Sequence, residues 1–279
     1  CIPAGRCKIM ISLEDSAKTN AVLQLMLNPD THTEHTQEVE LLETHISWIF
    51  LTDRYAYKIK KPVRFEFLDF STLHAREIAC SEEIRLNRRL SEHVYISMLP
   101  ITIDLHGKLE LDSDGHPVEY VVKMRRLDEK SVLSNLIGRS QLTLHRAHEL
   151  IDYLLTFYVQ LPPKIVCAKE HYQDLVQHVR ANHEDLAKHT SGDYHRQIQR
   201  ILGAQLQYLW LNKETLYHRV RDGRIVDAHG DLRAEHVFLE TTPSVIDCIE
   251  FSEELRQVDI VGDLSCLAMD CARSGDHSV

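Results

Sequence analysis

Residues 229 to 237 read His-Gly-Asp-Leu-Arg-Ala-Glu-His-Val, and two short apolar runs follow, Val237 to Leu239 and Val245 to Asp247. The second run ends on a carboxylate sixteen positions past Asp231 (247 − 231). This order, a polar loop, a short strand, a turn, another short strand and then an acid, restricts the chain to folds in which a small hairpin carries two acids at its ends. An ionised side chain closing an apolar strand has few structural reasons to be there, so Asp231 and Asp247 are the first candidates for chemistry.

A second pattern lies upstream. Ile46 to Val63 reads as a hairpin: Ile-Ser-Trp-Ile-Phe-Leu, a polar Thr52-Asp53-Arg54 turn, then Tyr55 to Lys61 with Pro62 closing the second strand. Alternation puts Ala56, Lys58 and Lys60 on one face and Tyr55, Tyr57 and Ile59 on the other. Ser71 is the expected N-cap of a helix running to about Leu90, with Leu73, Ile84, Leu86 and Leu90 at helical spacing. Tyr95 to Leu105, Lys108 to Leu111 and Val118 to Met124 read as antiparallel strands, with Asp114-Gly115 a turn.

After Leu127 the pattern turns helical, over Leu142 to Leu161, Tyr172 to His189 and Asp193 to Arg221, and again over Val261 to Ala272. The fold class is therefore α+β, with a small antiparallel-sheet-plus-helix lobe over 38 to 127 and a mainly α-helical lobe over 128 to 279. Residues 1 to 37 form a poorly defined extension with a short helix over Ala21 to Leu27. Because the first Met is Met10, residues 1 to 9 read as an upstream extension or a fragment edge, and the C-terminal end reads as truncated.

The formal charge of −10 disfavours nucleic acid as a partner, since affinity for phosphate backbones depends on Lys and Arg. No run approaches the roughly 20 apolar residues that span a bilayer. The seven cysteines are scattered without a Cys-x-x-Cys pair, which points away from disulfides or a zinc knuckle and toward a reducing cytoplasm. Histidines such as His32, His35, His171, His178 and His183 read as surface residues. Trp48, Phe50 and Trp210 read as core.

Phosphoryl transfer depends on positioning and on neutralising negative charge, and it needs parts this chain has in order. Asp231 is the candidate to orient an attacking hydroxyl and accept its proton. Asp247 is the candidate to grip a divalent cation. Lys58, with Lys60 as its same-face rival, would reach the phosphates. Glu83, in line with Leu86 and Leu90, would hold that lysine, with Glu82 and Glu77 as alternatives. Arg233 would touch the transferred group as a fixed cation.

The residues Glu-Thr-His-Ile-Ser-Trp (43 to 48), Tyr-Ala-Tyr-Lys-Ile-Lys-Lys-Pro (55 to 62), Leu-Asp-Phe-Ser-Thr-Leu (68 to 73), Arg-Leu-Asn-Arg-Arg-Leu (85 to 90), His-Gly-Asp-Leu-Arg (229 to 233) and Ile-Asp-Cys-Ile-Glu-Phe (246 to 251) carry a resemblance. Over roughly residues 38 to 272 the chain resembles the aminoglycoside phosphotransferase group of the protein-kinase-like fold. The resemblance implies two lobes, ATP with Mg²⁺ or Mn²⁺ between them, adenine against Met124 to Leu127, and a small-molecule hydroxyl acceptor. Some similar proteins continue into a P-loop nucleotide-binding domain, whose motif is missing here.

Two departures stand out. His236 occupies the place of a metal-binding Asn, and imidazole suits Mn²⁺ or Zn²⁺ better than Mg²⁺. Thr44-His45-Ile46-Ser47 stands where a glycine-rich loop would cover phosphates, leaving backbone amides and the Thr44 or Ser47 hydroxyls as substitutes. These departures motivate the alternative of a nucleotide-binding pseudokinase. Asp259 and Asp263 are expected to brace the loop around His229.

Overall fold

The structure is a computed structural model, and it describes residues 13–65 and 67–274. Cys1, Cys7 and Met10, with the extension read over residues 1 to 9, lie outside the described residues, as does the tail from 275 to 279. In chain order come α1 (Leu13–Leu27), β1 (Glu40–Glu43), β2 (Ser47–Leu51), β3 (Tyr55–Lys60), β4 (Arg64–Phe65), β5 (Leu68–Asp69), α2 (Leu73–Ser91), β6 (Tyr95–Ile103), β7 (Leu109–Leu111) and β8 (His116–Arg125). Next are α3 (Leu133–Gly138), α4 (Leu144–Gln160), α5 (Ala168–Lys188), α6 (Gly192–Leu211), α7 (Lys213–Arg221) and β9 (Ile225–Asp227). The remainder is β10 (Val237–Leu239), β11 (Pro243–Val245), α8 (Glu253–Arg256), β12 (Gln257–Asp259) and α9 (Ile260–Ser274). The class is α+β, as the sequence patterns require.

The chain forms two compact units: one takes in residues up to Gln160, His229–Arg256 and the chain from Asp263 onward, the other Leu161–Ala228 and Gln257–Gly262. Unit one is built on an antiparallel six-stranded sheet in the order β1-β2-β3-β8-β6-β7. Strand β3 pairs on both sides, with Lys58 opposite Ile49 of β2 and Val122 of β8.

Side chains of a strand alternate between faces, and here both faces of β3 are covered. On one face Tyr57 and Ile59 pack with Phe50, Ile101, Val118 and Val121 beneath Val22 and Met26 of α1. On the other, Leu51, Ala56, Val122 and Met124 pack with Cys80 of α2 and with Val94 and Tyr95. Residues 56 to 60 are consequently all buried, and the two lysines among them are removed from water.

Several local readings change. Helix α1 starts at Leu13, well before the expected Ala21, while the side chains it packs on the sheet, Val22 and Met26 among them, lie within the expected span. His32 is not a surface residue: it is buried, bonded through Nε2 to the Met26 carbonyl at 2.9 Å, and tilted against Tyr57 with ring centroids 4.7 Å apart. The cap of α2 is Thr72, whose hydroxyl accepts from the Ala75 N–H at 3.1 Å; Ser71 instead donates to Asp69 at 2.6 Å.

In unit two, β9 and β12 pair antiparallel, and Tyr172 of α5 meets Tyr217 of α7 edge-on at 6.0 Å. The helix expected over Asp193 to Arg221 is divided at Asn212, whose backbone N–H and side-chain amide both donate to the Tyr208 carbonyl. Trp210 was expected in the core but is 71% exposed. Adjacent helical residues point about 100° apart, and Leu209 takes the inward position. No helix among the described residues is long and apolar enough to cross a membrane.

Because Met26 closes the outer face of the sheet with no exposed surface, Met26→Ala is expected to cost about 2–5 kcal/mol. Urea unfolding measures this. A change under about 0.5 kcal/mol, the range of surface substitutions, would show that α1 does not belong to the core.

Candidate functional site

The site begins with the strand period. Lys58 and Lys60, two residues apart on β3, both face α2, whose inward side carries Ala79, Cys80, Glu83, Leu86, Asn87 and Leu90 at helical spacing. Glu83 is wholly buried and lies between the lysines, with Oε1 2.9 Å from Lys58 Nζ and Oε2 2.5 Å from Lys60 Nζ. Its rivals are occupied elsewhere: Glu82 pairs with Arg85 at 2.6 Å, and Glu77 lies 3.4 Å from His74.

The segment after β11 completes the cluster from the other side. Asp247 lies two residues past the strand, with φ 65, a left-handed conformation that a non-glycine residue holds only when its surroundings fix it. Here the Asp247 N–H donates to the Tyr95 hydroxyl at 3.3 Å, and the Cys248 N–H donates to Asn87 Oδ1 at 2.9 Å. So held, the Asp247 carboxylate meets Lys58 and the Glu250 carboxylate meets Lys60. The result is one chain of alternating charge: Asp247, Lys58, Glu83, Lys60, Glu250.

Glu250 and Lys60 are the participants that the sequence reading passed over or demoted. A second acid beside Asp247 in the otherwise apolar stretch Ile246 to Phe251 was the available signal.

The loop carrying Asp231 is fixed by its backbone. Gly230 has φ 85, and a Cβ there would sit 3.1 Å from both Ile249 Cδ1 and the Leu255 carbonyl, so glycine is required. Asp263 accepts the His229 N–H at 2.9 Å, the Gly230 N–H at 3.2 Å and the Tyr158 hydroxyl at 2.7 Å, which braces the loop as its position suggested. Asp259 does not share that task. It pairs with Arg219 at 2.5 and 2.6 Å and accepts the Val261 N–H at 2.9 Å.

His236 joins the two acidic segments. Its Nδ1 donates to the Asp231 carbonyl at 2.9 Å, and its Nε2 lies 3.8 Å from Asp247 Oδ2. Among the described residues nothing donates to the Asp231 carboxylate, which is half-buried. Arg233 pairs with its neighbour Glu235 at 2.8 Å.

Burial opposes every charge in this cluster, and the neighbours outweigh it for four of the five. Burial pushes the Asp247 carboxyl up, but Lys58, then His236, hold it well below its ordinary value. Burial likewise raises Glu83, and Lys58 and Lys60 bring it down. Both lysines would be depressed by burial, yet Asp247 and Glu83 raise Lys58, and Glu250 and Glu83 raise Lys60. Glu250 is the exception: burial, with Glu83 adding to it, outweighs Lys60 and leaves it raised. Burial also lowers His229, which keeps that ring neutral.

The turn beside the site is closed on itself. The Thr44 hydroxyl accepts the Ser47 N–H at 2.9 Å, while the Thr44 N–H donates to the Ser47 carbonyl at 2.9 Å. Ser47 is fully buried, and its Oγ has no hydrogen-bond partner among the described residues. Neither hydroxyl is therefore presented as a loop donor, contrary to the expectation for this segment. Met124 is buried opposite Ala56 across the sheet, and Leu127 packs on the same apolar cluster together with Ile246.

Among the described residues no group of three or more His, Cys, Asp or Glu side chains gathers as a metal centre. Asp247 and Nε2 of His236 could offer one oxygen and one nitrogen, which suffices for a cation only when a ligand brings further oxygens. A hollow of about 320 Å³ lined by Arg126 to Lys130, Asn135 and Arg139 lies at the end of β8 and includes Leu127, but none of the buried charges.

No family model matches the chain. It is similar to the Uncharacterized protein Rv2004c of Mycobacterium tuberculosis (strain ATCC 25618 / H37Rv) and the Uncharacterized protein Mb2027c of Mycobacterium bovis (strain ATCC BAA-935 / AF2122/97). Each is 32% identical over 241 residues, covering 83% of this chain. The chain spans about half the length of these curated relatives, since the match covers 45% of each.

Glu83 and Asp247 titrate below their ordinary 4.5 and 3.8, so their stabilisation is present above those values and lost as pH falls through the folded ones. Glu250, raised, works in the opposite sense. Lys58 and Lys60, raised from 10.5, stabilise fully below that value and lose this as pH climbs. Glu83→Gln is expected to cost about 3–5 kcal/mol at neutral pH, because it leaves two buried ammonium groups short of an anion. It should also flatten the acid limb of stability against pH. An unchanged limb in denaturant titrations from pH 3 to 7 would remove Glu83 from the linkage.

Proposed function

We propose that the protein is an ATP-dependent phosphotransferase of protein-kinase-like, two-lobed fold, acting on a hydroxyl of a small molecule. The observation that supports this most is the buried Lys58 held between Glu83 on a helix and Asp247 on the segment that follows a two-strand hairpin. Lys60 is also paired twice, but with two buried carboxylates, whereas the Asp247 partner of Lys58 keeps 45% of its side-chain surface open. The resemblance of the 43–62, 229–233 and 246–251 motifs to aminoglycoside phosphotransferases points the same way.

Bound metal–ATP supplies the transferable phosphoryl group and the cation that offsets its charge. Lys58 would exchange its bond to Asp247 for phosphate oxygens while Glu83 keeps its ammonium in place. Asp247 and His236 would hold the cation, with the imidazole nitrogen favouring Mn²⁺ over Mg²⁺. The adenine edge would lie against the apolar cluster of Ala56, Met124, Leu127 and Ile246. Asp231, whose carboxylate is uncommitted, orients the acceptor hydroxyl and takes its proton, and Arg233 is the nearby cation for the transferred group.

The scattered free cysteines Cys80, Cys167, Cys248, Cys266 and Cys271 fit a reducing cytoplasm as the site of action. A P-loop domain as a fused or separate partner belongs to the same proposal. The closed Thr44–Ser47 turn favours a second reading, a nucleotide-binding module with little or no transfer.

Thermal unfolding with ATP and Mg²⁺ or Mn²⁺ separates the two. Ligand at a hundredfold excess over its dissociation constant adds about 2.7 kcal/mol of stability. The enzyme reading expects that shift together with ADP release on hydroxylated acceptors. In Asp231→Ala the shift should persist while release falls by about three orders of magnitude or more. Turnover that survives this substitution refutes the role of Asp231, and a shift without any product favours the binding module.

A further inference from the structure

Lys60 cannot serve as a phosphate ligand: its side chain has no exposed surface, and the Phe70 ring covers its ammonium at 5.6 Å. A buried ammonium persists only when its partners are well placed, and Lys60 has two, the free oxygen of Glu83 and the carboxylate of Glu250. These partners belong to the two elements that hold Lys58. Glu83 lies on α2, and Glu250 lies three residues beyond Asp247.

We infer that Lys60 and Glu250 form a positioning pair, which pins Glu83 and the 247–250 segment against β3 so that Lys58 and Asp247 meet at a fixed place. The inference rests on the phosphotransferase reading and adds residues to its machinery. Glu83 has two oxygens and two lysines; with Lys60 on Oε2, Oε1 is left aimed at Lys58. Asp247 sits in a left-handed conformation, and its segment is tied down at Cys248 by Asn87 and at Glu250 by Lys60. Without the second tie, the backbone around Asp247 can relax toward commoner angles. Lys60 and Glu250 touch neither nucleotide nor acceptor, so both act through Lys58 and Asp247.

The test uses the double variant Lys60→Met/Glu250→Leu in the whole chain. Removing both charges leaves no new net charge, and apolar replacement of a buried ion pair is often neutral for stability or favourable. Two readouts are taken on the folded variant: the NMR resonance of the Lys58 ammonium, assigned by its loss in Lys58→Met, and the dissociation constant for Mn–ATP. The expected result is a shifted Lys58 resonance with faster exchange against water, and affinity weaker by about 10–100-fold, the usual effect of losing residues that orient ligands.

An unchanged Lys58 resonance in the folded variant overturns the inference and leaves the pair a purely structural one. If the native chain binds no nucleotide while the variant still moves the Lys58 resonance, the phosphotransferase reading fails and the positioning role stands. If the double variant does not fold, Glu250→Gln, which keeps the shape and removes the charge, is read by the same resonance and the same criteria.

Discussion

Four buried ionisable side chains, Lys58, Glu83, Lys60 and Glu250, and the partly open Asp247, arranged in alternating sign, set the terms for the first compact unit. An isolated charge in such surroundings would be strongly unfavourable, and each member is tolerated only because its neighbours neutralise it. The chain therefore links three otherwise separate pieces of sequence: a central strand, the helix that follows it, and a segment nearly 200 positions downstream. Hydrophobic packing accounts for the burial. The charges add a geometric requirement of their own, since a slip of α2 against β3 would part Glu83 from Lys58 and Lys60.

The same requirement explains the local backbone. Asp247 takes a left-handed conformation where the chain turns out of the second hairpin strand, and Tyr95, Asn87 and Lys60 keep it there through the residues around it. Gly230 takes positive φ because Ile249 and Leu255 leave no room for a side chain. Asp263 spends its oxygens on two backbone N–H groups of the same loop and on Tyr158. Both acidic segments are thus held by groups outside themselves, and His236 spans the short distance between them.

Much of this was legible in the residues. Period-two alternation gave β3 its two faces and placed Lys58 and Lys60 together; helical spacing singled out Glu83 from Glu82 and Glu77. The misreadings share a cause. His32 sits in a polar stretch and looked exposed, but Tyr57 and the Met26 carbonyl bury it. Trp210 looked like core because of its chemistry, but one helix face is short of cover. Composition near a residue does not reveal which neighbours arrive from elsewhere in the chain.

What the sequence alone determined is local: which stretches are strand or helix, which face each side chain takes, and which charges stand in apolar runs where they require partners. The tertiary structure decided the pairing. Whether Lys58 or Lys60 keeps a path to solvent, that Glu83 serves both, and that Glu250 closes the chain of charges all depend on contacts between residues far apart in sequence. Such contacts are set by the packing of whole elements, and a one-dimensional period carries no information about distances across them.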